Sequence, residues 1–199
     1  MDYQAILDRI LATADERAYL TPFSHVDSRF QGALAEVRTD LQSADFDPDR
    51  TRALVARLHD EGRLDRVHYF SALHVVAASP RVRDYAEAAR LVAEQEMAAL
   101  ELGGPGLESN LASVDRHRGV LAFLRGQYEV ALDYFTRSLE RQRSAENLGN
   151  ILCALIRLGE HDEATELLDQ IRSSFPSDLV DELDSIIASD PDLIPLRME

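Results

Sequence analysis

The residues whose types could do chemistry are few: six His, one Cys and several clustered carboxylates, set among 21 basic residues that are all Arg. Asp45-Phe46-Asp47-Pro48-Asp49 opens with carboxylates at every second position, as a calcium loop does. Such a loop then requires Gly at its sixth position and Glu at its twelfth, where this chain has Arg50 and Ala56. The run reads instead as Asp caps around a Pro that starts a helix. His68 and His74 share one predicted helix, and Asp65 lies three residues before His68, which puts that carboxylate and imidazole on one face. Bundles that hold metal use Glu-x-x-His twice; here the His pair is six apart and the second motif is missing, so the pair reads as a polar stripe between packed helices. His117, beside Asp115 and Arg116, and His161, beside Glu160 and Asp162, read as solvated or capping residues.

Cys153 sits in Ile151-Leu152-Cys153-Ala154-Leu155-Ile156, apolar nearly all round, where a thiol is a small hydrophobe with a raised pKa rather than a nucleophile. No Gly-x-Ser-x-Gly elbow and no His-Glu-x-x-His occurs. Gly103-Gly104-Pro105-Gly106 follows a predicted helix rather than a strand, so it reads as a helix stop and not a phosphate loop. The absence of Lys removes P-loop, kinase and pyridoxal chemistry, each of which needs an amine. No cofactor, no metal and no catalysis are expected.

The charge balance, 21 − 36 = −15, repels phosphate backbones and acidic lipid, so neither nucleic acid nor a membrane surface is an expected partner. Met1-Asp2-Tyr3-Gln4 lacks the basic start of a signal peptide, and one Cys cannot form an internal disulfide, so a cytoplasmic protein is expected.

What must position any site is helix. Leu54, Val55 and Leu58, then Val67, Phe70, Leu73 and Val76, then Leu132, Phe135 and Leu139, recur at three- and four-residue spacing, and no segment alternates with period two. Thr21-Pro22, Asp47-Pro48 and Ser79-Pro80 read as helix starts, and Gly62, Gly103, Gly126 and Gly159 as stops. The pattern predicts about ten helices, over 2–19, 23–42, 49–61, 63–78, 81–102, 108–125, 127–143, 145–158, 160–174 and 177–188. Gly126, Tyr128, Ala131, Phe135 and Ser138 recur 33 positions on as Gly159, His161, Ala164, Leu168 and Ile171. Each unit reads helix, Gly turn, helix, with a small residue where the second helix must approach the first.

Gly119 and Gly126 seven residues apart, followed by Tyr128, Ala131, Phe135 and Ser138, resemble the tetratricopeptide repeat. The resemblance covers 112–176, with Gly159, Ala164 and Pro176 in the next unit, and is fainter over 49–102. It implies an all-α, antiparallel helix-pair solenoid, with divergent repeats over 49–102 and repeats with a capping helix over 108–188; residues 1–48, which do not share the resemblance, read as an N-terminal helical pair, 103–107 as a loop, and 189–199, with two Pro, as an extended tail. It also implies a non-catalytic adaptor or scaffold that holds a partner peptide, with Arg116, Val120, Phe123, Asn150 and Arg157 as groove residues. The alternatives are a chaperone-like or regulatory subunit of a larger bacterial assembly and, in another class, a helical enzyme using scattered His and Asp residues.

Charge suggests what the partner offers. Segment 116–143 holds six Arg against three acidic residues, whereas 173–199 holds seven acidic residues against Arg197. Either these Arg pair with the neighbouring acids along their own helices, or the basic patch takes an acidic segment or a free C-terminus as ligand, because Arg holds carboxylates bidentately. Leu193, Ile194, Leu196 and Met198 beside Asp190 and Asp192 give the tail that same character. Two readings follow: a tail that is disordered or merely covers the last helix, or one that docks along a helical groove of its own molecule or, in a homodimer, of a neighbour.

Overall fold

The computed structural model describes residues 3–15 and 28–197; the predicted start at Thr21-Pro22 lies outside them. They form ten α-helices, α1 (Tyr3–Asp15), α2 (Ser28–Gln42), α3 (Pro48–Asp60), α4 (Arg66–Ala78), α5 (Tyr85–Leu102), α6 (Leu107–Leu124), α7 (Tyr128–Arg141), α8 (Ala145–Leu158), α9 (His161–Ser174) and α10 (Ser177–Ser189), then a 3-10 helix, Pro191–Arg197. No strand occurs among the described residues, as the period of the apolar residues requires.

The chain divides into two compact units, residues 20–117 and residues 1–19 with 118–199. Helix α1 belongs to the second of these units and α2 to the first. Helix α1 packs on α7 and α9, and α2 on α3 and α4. Periodicity shows that a helix has an apolar face, but not which helix that face meets.

In the 20–117 unit, Ala33 and Val37 of α2, Val55 and Leu58 of α3, Leu64 and Ala72 make one core cluster. Val67 with Ala98 and Ala99 of α5 makes another. Asp47 caps α3 by accepting from the backbone of Asp49 and Arg50, with Pro48 at the first helical position. Asp65 caps α4: the backbone N–H and the Nδ1–H of His68 both donate to it, at 2.8 and 2.7 Å. Partial burial pushes the Asp65 carboxyl up, and the two His68 hydrogen bonds outweigh it, leaving the group below its usual range. Helix α5 starts at Tyr85 rather than at 81, with Asp84 as its cap in place of Ser79. Arg83, in the left-handed region at φ 55°, breaks the helical path just ahead of that cap.

In the other unit α8 is central. Nine of its fourteen residues are buried, because α7, α9, α10 and the 3-10 helix all pack on it. Ile6, Leu7 and Ile10 bring α1 into the same core, alongside Leu132, Phe135, Leu148, Ile151, Leu152, Leu167 and Ile171. The turns before α7 and α9 share one geometry. Gly126 N–H donates to Phe123 and Gln127 N–H to Ala122; thirty-three residues on, Gly159 N–H donates to Ile156 and Glu160 N–H to Leu155. Both glycines are left-handed, at φ 73° and 86°. Ala131 and Ala164 are fully buried five residues past them. The turn after α3 is built alike: Gly62, φ 68°, donates to His59, and Arg63 N–H to Leu58.

Candidate partner-binding surface

Helix α8 begins at Ser144, whose side chain accepts from Asn147 N–H, and ends at left-handed Gly159, so its register is fixed at both ends. That register puts Cys153 and Arg157, one turn apart, on the side facing the C-terminal segment. Residues 189–199 were expected to be extended. Instead Pro191–Arg197 forms a 3-10 helix, the conformation that lets Leu193 and Leu196, three residues apart, point the same way into the core. Arg157 Nη2 donates to Asp192 Oδ1 at 2.6 Å. The Cys153 thiol, 4.0 Å from an Asp190 oxygen, is pushed up to about 12 by burial first and by the charges of Asp190 and Asp192 after it. At neutral pH it is a protonated thiol with no nucleophilic character.

The five expected groove residues fall in both units, Arg116 in the first and Val120, Phe123, Asn150 and Arg157 in the second. Arg157 is exposed and holds Asp192, and Asn150 is half-buried on the same helix. Val120 and Phe123 are half-buried and pack against the core of their unit, and Phe123 meets Tyr128 edge-on at 5.2 Å. Arg116 belongs to the 20–117 unit, where its charge acts on His74 and His117. The six Arg of 116–143 are not a free cationic patch. Arg137 lies over the Tyr134 ring and 3.9 Å from Asp133, Arg143 lies over Phe175, and the other four each have a partner.

Sequence reasoning missed a buried polar cluster in the 20–117 unit. The rings of His74 (α4) and His117 (α6) stack with centroids 4.3 Å apart, and both are buried. His117, expected to be solvated, donates from Nδ1 to Gln95 Oε1 at 2.8 Å, and Gln95 in turn donates to Ser113 Oγ at 3.3 Å. His74 donates from Nδ1 to the Ala88 carbonyl at 3.1 Å. Both acceptors lack a proton, so each Nδ1 carries one. Burial, the neighbouring ring and Arg116 hold His117 well below its ordinary pKa. Burial lowers His74 too, against the Ala88 hydrogen bond that raises it, and Arg116 adds to the lowering. The two residues are 43 apart in sequence, and nothing local in either segment marks the other.

Among the described residues no three His, Cys, Asp or Glu side chains are placed to share a metal ion, and no helix is long and apolar enough to cross a membrane. An open hollow along α9 is lined by Asp162, Thr165, Glu166, Asp169, Gln170 and Ser173. Its three carboxylates suit it poorly to an acidic segment. Compared with known proteins, the chain matches no family model, no curated protein and no solved structure.

Proposed function

We propose that this chain is a non-catalytic protein-interaction module of the cytoplasm, a helix-pair solenoid resembling the tetratricopeptide-repeat proteins, which holds a segment of a partner protein against its helices. One observation supports the reading above the others. The left-handed Gly turn at 126 is rebuilt at 159 with the same two backbone hydrogen bonds and a fully buried Ala five residues later. Helix pairs joined by one repeated turn stack into a continuous surface rather than closing on a pocket, and such surfaces suit peptides better than small substrates. Asn150 and Arg157, on the same helix, are the expected polar contacts, and an acidic segment is the chemistry Arg157 accepts.

A random-peptide library displayed on phage and panned against the full chain tests this. The expected result is a family of related sequences whose synthetic members bind with Kd on the order of micromolar, the range of transient recognition. Enrichment no greater than on an unrelated helical protein of equal charge would overturn the reading.

A further inference from the structure

Segment 190–197 and the face it covers are related as ligand and receptor. Asp190 ends α10 and its carboxylate accepts from the N–H of Asp192 at 2.9 Å. That turn aims Asp192 at Arg157. Leu193 and Leu196 follow, 0% and 8% exposed, on one edge of the 3-10 helix, while Ile194 off that edge is 50% exposed. Recognition thus uses one carboxylate and two leucines, at the first and fourth positions after it.

The attachment is of a kind that opens. Seven residues exceed the usual length of a 3-10 run, and Pro195 lacks an N–H to give to it. Arg197 donates to the Ile187 and Asp190 carbonyls, so it ties the segment to its own stem rather than to α8. The ion pair to α8 is between side chains 47% and 32% exposed, where salt screens it. Only Leu193 and Leu196 of the seven residues are buried, and a short terminal segment held by two side chains opens locally without global unfolding. Beneath lies Cys153, the one thiol of the chain, 7% exposed.

We infer that the face of α8 and α10 beneath residues 190–197 is a binding site for a partner peptide of the segment's own chemistry, a carboxylate followed one and four residues later by Leu or a similar branched apolar side chain, with the segment as its built-in competitor. The inference rests on the interaction-module reading and narrows it to a surface and a ligand class. A tethered competitor acts at an effective concentration on the order of millimolar, so a partner must bind more tightly than the segment does. Releasing the segment removes that handicap.

The test uses the full chain, its L193E/L196E variant, whose carboxylates cannot re-enter an apolar core, and a fluorescent peptide of sequence Ser-Asp-Pro-Asp-Leu-Ile-Pro-Leu-Arg-Met-Glu. Maleimide should label Cys153 about ten-fold faster or more in the variant than in the wild type. The peptide should bind the variant about ten-fold more tightly or better, as loss of a tethered competitor requires. Adding Arg157→Glu should abolish that binding, and a peptide bearing Asp192→Arg should restore it. If L193E/L196E loses helicity by circular dichroism, L196E alone carries the same readouts. In the wild type, Cys153 labelling should also quicken between 0.05 and 0.5 M salt, over which the screening length falls about three-fold. Four results would overturn the proposal: labelling of wild-type Cys153 independent of salt and equal to that of the variant; no peptide bound by a helical variant; binding indifferent to Arg157→Glu; or a wild-type dimer by light scattering that Asp192→Arg dissociates, which makes a second copy the occupant. If panned peptides bind but ignore Arg157→Glu, this site falls while the interaction module stands. If no peptide binds at all, both fall.

Discussion

A Cβ built on Gly119 would stand 2.5 Å from Cε1 of the Phe135 ring, closer than side-chain carbons come. Helices α6 and α7 meet there with ring against bare backbone. Phe135 is buried and cannot swing aside. Gly119→Ala should therefore destabilise the chain by about 1–3 kcal/mol, the range of overpacking, although Ala in an open helix position would gain up to about 1 kcal/mol. In a Phe135→Leu background the clash is relieved and the penalty should shrink or change sign. Urea unfolding of the four chains gives the coupling, and strict additivity would contradict the contact.

Gly126 and Gly159 present the opposite case. An added Cβ meets nothing within 4 Å at either, but both have φ in the left-handed region. The cost of Gly126→Ala and Gly159→Ala is then backbone strain alone, about 1–2 kcal/mol, and Asn should recover part of it because it visits that region more readily. At Gly119 Asn should be no better than Ala. Thermal or urea midpoints of the six variants distinguish strain from clash.

Whereas the ring that Gly119 meets lies on another helix, the turn glycines were visible in the sequence because their cause is local and repeats with a fixed period. The Gly126 and Gly159 turns, the buried Ala131 and Ala164 and the Asp47 cap of α3 all belong to that class. What escaped was nonlocal. Charged neighbours made His117 look solvated, whereas its environment is set by His74 and Gln95 from other helices. Two prolines made 189–199 look extended, yet Pro191 opens a 3-10 helix that two buried leucines hold in place. Of the candidate site, Arg157 was named from the repeat pattern, and its ion pair with Asp192, thirty-five residues on, was not legible. Nor was the engagement of the arginines of 116–143, because a local charge count ignores rings and distant partners.

The placement of α1 yields another test. Arg9 grips Glu140 of α7 through Nε and Nη2, at 2.7 and 3.0 Å, with Asp133 3.6 Å away. Both side chains are more than a third exposed, so a double-mutant cycle over Arg9→Ala and Glu140→Ala should give only about 0.5–1 kcal/mol, and less in high salt. Ile10, fully buried in the core that α7 and α8 share, carries more. Ile10→Ala should cost about 2–5 kcal/mol. Hydrogen exchange should quicken in α7 and α9, the helices on which α1 packs; an effect confined to α2 would contradict the arrangement.

The stacked imidazoles give the chain a pH dependence of definite sign. Burial and the Arg116 charge disfavour the charged forms of His74 and His117 in the fold, and their pKa values lie below the ordinary imidazole value of about 6.5 that applies when the chain is unfolded. The unfolded state therefore binds more protons in the interval below that value, and stability must fall as pH falls through it. Each imidazole contributes up to about 1.4 kcal/mol per pH unit, fully retained above the unfolded value and lost progressively toward the folded one. Asp65, whose folded pKa is also lowered, acts in the same direction but only in the carboxylate range, so the interval from pH 6.5 to 5 isolates the imidazoles. Urea unfolding at pH 7.5, 6.0 and 5.0 should show the loss in the wild type and a flatter profile in His74→Leu with His117→Leu. The leucine pair leaves Gln95 Oε1 and the Ala88 carbonyl without their donors, so that variant should start lower at pH 7.5, by about 1–3 kcal/mol for each acceptor left buried. Equal slopes in the two chains would mean that the stacked pair titrates normally, and would contradict its burial.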